Sequence, residues 1–201
     1  MPSPSTAETA PYRTVRVWDP LLRIFHWSLA ICVAAAWGLG QFGPDVMTLH
    51  FYFGYAVLGL LAFRLLWGFI GPEHARFASF TYRPAEILRY AGQMLRRSPS
   101  YWRGHNPVGG LFAILILLIL AVHAASGLFV DPEDYINAGP FADLVGTDAA
   151  RTALAWHSTL SWVVLGVVVL HVAAIAFYLR WKREDLIRPM ITGRKTIPQD
   201  A

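Results

Sequence analysis

The sequence predicts an all-α integral membrane protein, a four-helix bundle with both termini cytoplasmic. Three observations carry that prediction. Hydrophobic residues make up 55% of the 201-residue chain and charged residues only 15%, against about 25% charged in an ordinary soluble domain. Four apolar runs come close to or exceed the roughly 20 residues that a helix needs to cross the hydrocarbon core. Of the 17 lysines and arginines, all except Arg64 and Arg151 fall on one side of a chain that crosses four times. The positive-inside rule makes that side the cytoplasm.

The first eleven residues, MPSPSTAETAP, are rich in Pro, Ser and Thr. Such a composition cannot bury enough apolar surface to order itself, so residues 1–16 are expected to be a disordered cytoplasmic segment. They lack the basic start and apolar stretch of a signal peptide, so the first apolar run is expected to stay as a membrane helix. That run spans about 24–42, IFHWSLAICVAAAWGLGQF. The second spans about 49–71, the third 107–130 and the fourth 153–179. Arg64 is the exception to their lack of charge. Trp18, Trp67, Trp102 and Trp181 lie near the predicted ends, where amphipathic rings settle at the headgroups.

The connectors divide by charge. The loop from the second to the third run carries six arginines, and RPAEILRYAGQMLRR within it has the makings of a short helix opened by Pro84. That helix could lie on anionic lipid headgroups or be a solvated loop helix. The loop before the fourth run is acidic, with Asp131, Glu133, Asp134, Asp143 and Asp148. It is either a partner-docking surface or a plain solvated connector. Residues 17–193 form one four-helix domain and 194–201 a tail. The basic charge has a membrane explanation, which argues against nucleic acid. The single cysteine, Cys32, makes no internal disulfide, and no Cys-x-x-Cys-His occurs for covalent haem attachment.

Five of the seven histidines lie in or at the edge of the runs: His26, His50, His123, His157 and His171. Ionisable residues in membrane helices are functional candidates by default. His157 and His171 are fourteen residues apart, close to four full turns, so they share a helix face at depths about 21 Å apart. His26 lies near the inner end of the first run and His50 at the outer end of the second. Depth therefore pairs His26 with His171 and His50 with His157. Two stacked bis-histidine sites suit two non-covalent b-type haems, since imidazole is a good ligand for haem iron. The competing reading is hydrogen bonding between helices.

Arg64 is fourteen residues beyond His50 and shares its face at the inner depth. It either pairs with a carboxylate of the inner haem or snorkels to the headgroups. Gly54, one turn from His50, leaves room for a flat macrocycle or for helix packing. His123 lies nearer the outer site and has no assigned partner. His74 and His105, in the cytoplasmic loop, read as structural or solvated.

The motifs VWDPLLRIFHW, LHFYFGY with RLLWGFIGP, GHNPVGG and WHSTLSWVVLGVVVLHVAAIAFY resemble the bacterial cytochrome b561 family. That family includes the cytochrome b subunits of nickel–iron hydrogenase and formate dehydrogenase. The resemblance runs from Val17 to Gly193. It implies haem ligands on helices 1, 2 and 4, here His26, His50, His157 and His171. In the formate dehydrogenase subunit a quinone approaches the inner haem near an asparagine at the start of helix 3; Asn106 matches that position, and His171 matches its helix-4 histidine. Asn106 also reads as a routine turn or capping residue.

These readings imply a dihaem cytochrome of the bacterial inner membrane. It would relay electrons between a ubiquinone or menaquinone pool and a periplasmic partner, a c-type cytochrome or a dehydrogenase subunit. A self-contained superoxide:quinone oxidoreductase is the main competitor, disfavoured by an acidic outer surface that repels an anion. A non-redox haem carrier or sensor is the third.

Overall fold

The computed structural model describes residues 12–97, 101–133 and 136–199. The expectation of disorder for residues 1–11 lies outside the described residues. Four long helices form the frame: α1 (Pro20–Phe42), α2 (Thr48–Ile70), α4 (Pro107–Ser126) and α5 (Thr147–Phe177), with a short α3 (Pro84–Ala91) before α4. Each long helix is long and apolar enough to cross a membrane. Ile24, Ile31, Phe69, Leu118, Trp162 and Val169 point outward. A soluble bundle does not expose apolar surface on this scale, whereas a lipid-facing one does. The chain is a multi-pass membrane protein.

Helix starts are set by caps as well as by hydropathy. Asp19 accepts a hydrogen bond from the Leu22 amide at 3.0 Å and Pro20 takes the first helical position, so α1 begins four residues before the apolar run. Asn106 caps α4 in the same way, accepting from Gly109 N at 2.8 Å, with Pro107 following. α5 starts at Thr147, six residues before its apolar run, because the polar first turns need only a helical start and not lipid. Its end widens into a π turn at Tyr178–Lys182. α3 ends at Ala91, short of the basic Arg96 and Arg97.

The core lies where the long helices meet, around Leu22, Phe25, Leu29, Val57, Leu120 and Val164. The outer connector is pinned by Asn137, which donates to the Asp45 carbonyl at 2.7 Å and accepts from Met47 N at 2.9 Å. Arg151 pairs with Glu133 at 2.8 Å.

Residues 12–16, within the segment expected to be disordered, form a strand that pairs with the C-terminal tail. Strand β1 (Tyr12–Arg16) pairs antiparallel with β2 (Arg194–Pro198), Thr14 opposite Thr196. Gly193 connects this ribbon to α1: its carbonyl accepts from Val17 N at 2.9 Å, and its φ of 76° suits only glycine. A short helix α6 (Ile187–Thr192) packs on α1 through Trp27, whose indole donates to the Met190 carbonyl at 3.3 Å. Both described ends thus lie at one end of the bundle, called the inner end below.

Candidate functional site

The outer end of the bundle brings His50 and His157 together. His50 is in the first turn of α2 and His157 in the third turn of α5, and their ring centres are 6.0 Å apart with planes at 85°. His50 Nδ1 lies 2.8 Å from the Ala36 carbonyl of α1. His157 Nδ1 lies 3.0 Å from the His123 carbonyl of α4 and 3.2 Å from Ser126 Oγ. A carbonyl only accepts, so both Nδ1 atoms carry the proton and donate it. That leaves each Nε2 lone pair for a metal, the arrangement that fixes ring orientation in metal-binding histidines. Two glycines make room for the rings. A Cβ on Gly40 would lie 3.1 Å from His50, and one on Gly127 would lie 2.9 Å from His157 Cε1.

The inner end brings His26 of α1 and His171 of α5 together, with ring centres 6.2 Å apart and planes at 53°. Phe112 of α4 lies nearly parallel to His171, with ring centres 6.0 Å apart and planes at 8°. His26 Nδ1 is buried without a partner.

These spacings are a test of fit. Two imidazole nitrogens at about 2 Å from one shared ion place the ring centres about 6 Å apart. A direct N–H···N hydrogen bond between them would bring the centres to about 5 Å. Both pairs match the shared ion. Among the described residues no cluster of three or more histidine, cysteine or carboxylate side chains is arranged to hold an ion. Each histidine pair would hold the iron of a haem, whose porphyrin would supply the remaining ligands. The residues present fit haem b. Gly54 adds open space on the same side of α2, with nothing within 4 Å of a Cβ built there.

The remaining candidates sit as follows. His123 stacks face to face on His157, ring centres 4.2 Å apart and planes at 13°, so it backs the His157 ring. Arg64 does not snorkel. It is 4% exposed, with its guanidinium carbon 4.7 Å above Phe77, and its Nη1 has no hydrogen-bond partner. Asn106 is engaged at both ends of its amide: Oδ1 caps α4, and Nδ2 donates to Tyr178 Oη at 3.0 Å. Tyr178 in turn bonds Tyr90 of α3 at 3.0 Å. Of the two readings of His105, structural and solvated, the contacts favour the structural one. The ring is wedged between Trp18 at 4.9 Å and Phe80 at 4.8 Å, and its Nδ1 is buried without a partner. Burial first, and the Arg64 charge second, push its pKa down to about 4.

Residues 17–193 match the family described as prokaryotic cytochrome b561. The chain belongs to that family. Over 219 aligned residues it is 27% identical to a "Probable Ni/Fe-hydrogenase B-type cytochrome subunit" of Azotobacter chroococcum mcd 1, covering 92% of this chain and 90% of the relative. A relative of the same description from Bradyrhizobium diazoefficiens is 25% identical, over 90% of this chain and 86% of its own length. A "Probable Ni/Fe-hydrogenase 1 B-type cytochrome subunit" of Escherichia coli (strain K12) is 25% identical, with 90% of each chain covered. The protein is thus a membrane cytochrome b acting in electron transfer, and haem b is the cofactor its family implies.

Three features of this b561-family cytochrome escape a reading of the sequence alone. Gly40 and Gly127 look like ordinary membrane-helix glycines until the rings of His50 and His157 are seen against them. Ser126, three residues from His123, carries no signal by itself. His105 lies beside the GHNPVGG motif, and that proximity to a helix start is the one clue to its burial.

Proposed function

We propose that this cytochrome carries two b-type haems and relays electrons between the membrane quinone pool and a redox partner on the periplasmic side. The observation that carries the reading is the pair of histidine couples, 6.0 and 6.2 Å between ring centres, at two depths on one continuous helix. His50 and His157 would hold the outer haem, His26 and His171 the inner one. When bound, haem b supplies one-electron redox chemistry, tuned by its axial ligands and surroundings.

The chain's own residues do the positioning. The Ala36 and His123 carbonyls fix the proton on Nδ1 of the outer histidines, which orients Nε2 and raises its basicity as a ligand. Phe112 holds the inner His171 ring, and the apolar core around Leu29, Val57 and Val164 keeps water from the space between the sites. Arg64 would meet a carboxylate of the inner haem. The quinone would approach at the inner end, by Asn106 and His171, with the Asn106–Tyr178–Tyr90 chain as its polar boundary.

The orientation follows the charge. Arginine-rich loops at the inner end support both termini lying in the cytoplasm of a bacterium and the chain lying in its inner membrane. The relatives' description as hydrogenase subunits supports an oxidoreductase subunit as partner, alongside a periplasmic c-type cytochrome. Reconstitution into quinone-containing vesicles tests the relay. Reduction of the cytochrome by added quinol, followed by reoxidation from the outer face by an impermeant acceptor, is expected. Cytochrome that quinol cannot reduce would contradict the quinone link.

A further inference from the structure

We infer that Arg64 and His105 form a carboxylate clamp at the inner site, taking the acidic groups of the haem assigned to His26 and His171. The inference rests on that haem assignment and adds His105, from the connector before α4, as a second anchor that sequence alone reads as structural or solvated.

Arg64 Nη1 and His105 Nδ1 are both buried side-chain atoms without a hydrogen-bond partner. The two groups lie against the same ring. The Arg64 guanidinium carbon is 5.7 Å from the centre of Phe80, and the His105 ring is 4.8 Å from it. Phe80 itself is 1% exposed, and Phe77 and Trp18 complete the frame. Aromatic faces soften a buried cation but supply no lone-pair acceptor. A buried arginine left without an anion is strongly disfavoured.

Asp19 is within electrostatic reach of Arg64 but forms no ion pair with it. Among the described residues no carboxylate oxygen comes within 4.0 Å of an Arg64 nitrogen. Asp19 is committed elsewhere, to the Leu22 amide at 3.0 Å and the Trp67 indole at 3.4 Å. His105 is within electrostatic reach of Arg64, His26 and His171. Haem b carries two carboxylates on one edge of its ring. A guanidinium fork accepts a carboxylate in bidentate fashion, and a neutral imidazole donates one further N–H. Burial keeps His105 neutral at physiological pH, which suits it to that donor role.

The test compares haem with its dimethyl ester, which lacks both carboxylates, titrated into the full-length chain stripped of cofactor in detergent. The inner site is read as the spectral component that His171→Ala removes. The native inner site is expected to take haem at least tenfold more tightly than the ester. His105→Phe and Arg64→Gln should each shrink that ratio, while His105→Gln, which keeps an N–H donor, should preserve more of it. Outer-site loading, unchanged in the variants, shows that they have folded. A second readout is the midpoint potential of the loaded inner haem. Loss of the Arg64 charge should lower it by a factor of ten in the redox equilibrium, about 59 mV for one electron. Equal affinity of the native inner site for haem and ester overturns the clamp and leaves the haem assignment standing. Uptake of neither compound overturns both.

Discussion

His50 and His157 face one another with ring centres 6.0 Å apart, and each donates its Nδ1–H to a carbonyl of a further helix, Ala36 of α1 or His123 of α4. Four helices therefore converge on one pair of nitrogens. These bonds are interhelical, and they use only one nitrogen of each ring. Both bonds go to backbone carbonyls, and each Nε2 lone pair is left as a candidate ligand.

The two couples should be separable by mutation. Replacing His157 with alanine is expected to remove the outer haem and leave the inner one; His171→Ala is expected to do the reverse. A haem assay against protein concentration, with the reduced-minus-oxidised spectrum of each variant, checks this. Retention of both haems after either change would refute the ligand assignment.

Gly127 should matter through the His157 ring that it borders. A Cβ there would lie 2.9 Å from His157 Cε1, so Gly127→Val must push the ring off its carbonyl partner. Disturbing such orienting contacts typically weakens metal binding roughly 10- to 100-fold. Haem titration should show that loss at the outer site alone.

Asn106 caps α4 and also steadies Tyr178. Asn106→Ala is expected to lower stability by about 1–2 kcal/mol, the usual size of a lost N-cap. Asn106→Asp, which keeps the capping oxygen but not the amide donor, should recover most of it. Thermal unfolding in detergent distinguishes the two.

Stability of the cofactor-free chain should depend on pH through His105. Its pKa is about 4 in the folded chain against an ordinary 6.5. Between those values the unfolded chain holds the extra proton, so stability rises with pH across the window. It is full above about pH 6.5 and is lost on acidification toward pH 4, by at most about 3 kcal/mol for this residue. His105→Phe should flatten that part of the profile; an unchanged slope would show that His105 is not buried in this way.

The spans are legible because bilayer crossing demands length and apolarity, and both are local properties of a sequence. The meeting of His26 with His171 and of His50 with His157 is legible too, because fourteen-residue spacing fixes a face and the alternation of helix direction fixes a depth. Pairing of Tyr12–Arg16 with Arg194–Pro198 is not, since the two strands are joined by nearly the whole chain and neither shows a marked alternation. The early start of α5 at Thr147 is hidden because its first turns leave the apolar layer. His105 and Gly127 are silent for a related reason. Their importance lies in what another helix presses against them, which no local pattern records.

The central claim is that one chain holds two haems, each between two histidines. The most direct measurement is the haem-to-protein ratio of the purified full-length chain, taken with its reduced-minus-oxidised and low-temperature paramagnetic resonance spectra. The predicted result is two b-type haems per chain, both low-spin as bis-histidine ligation requires. A ratio of one or none, or a high-spin haem with an open position, would contradict it.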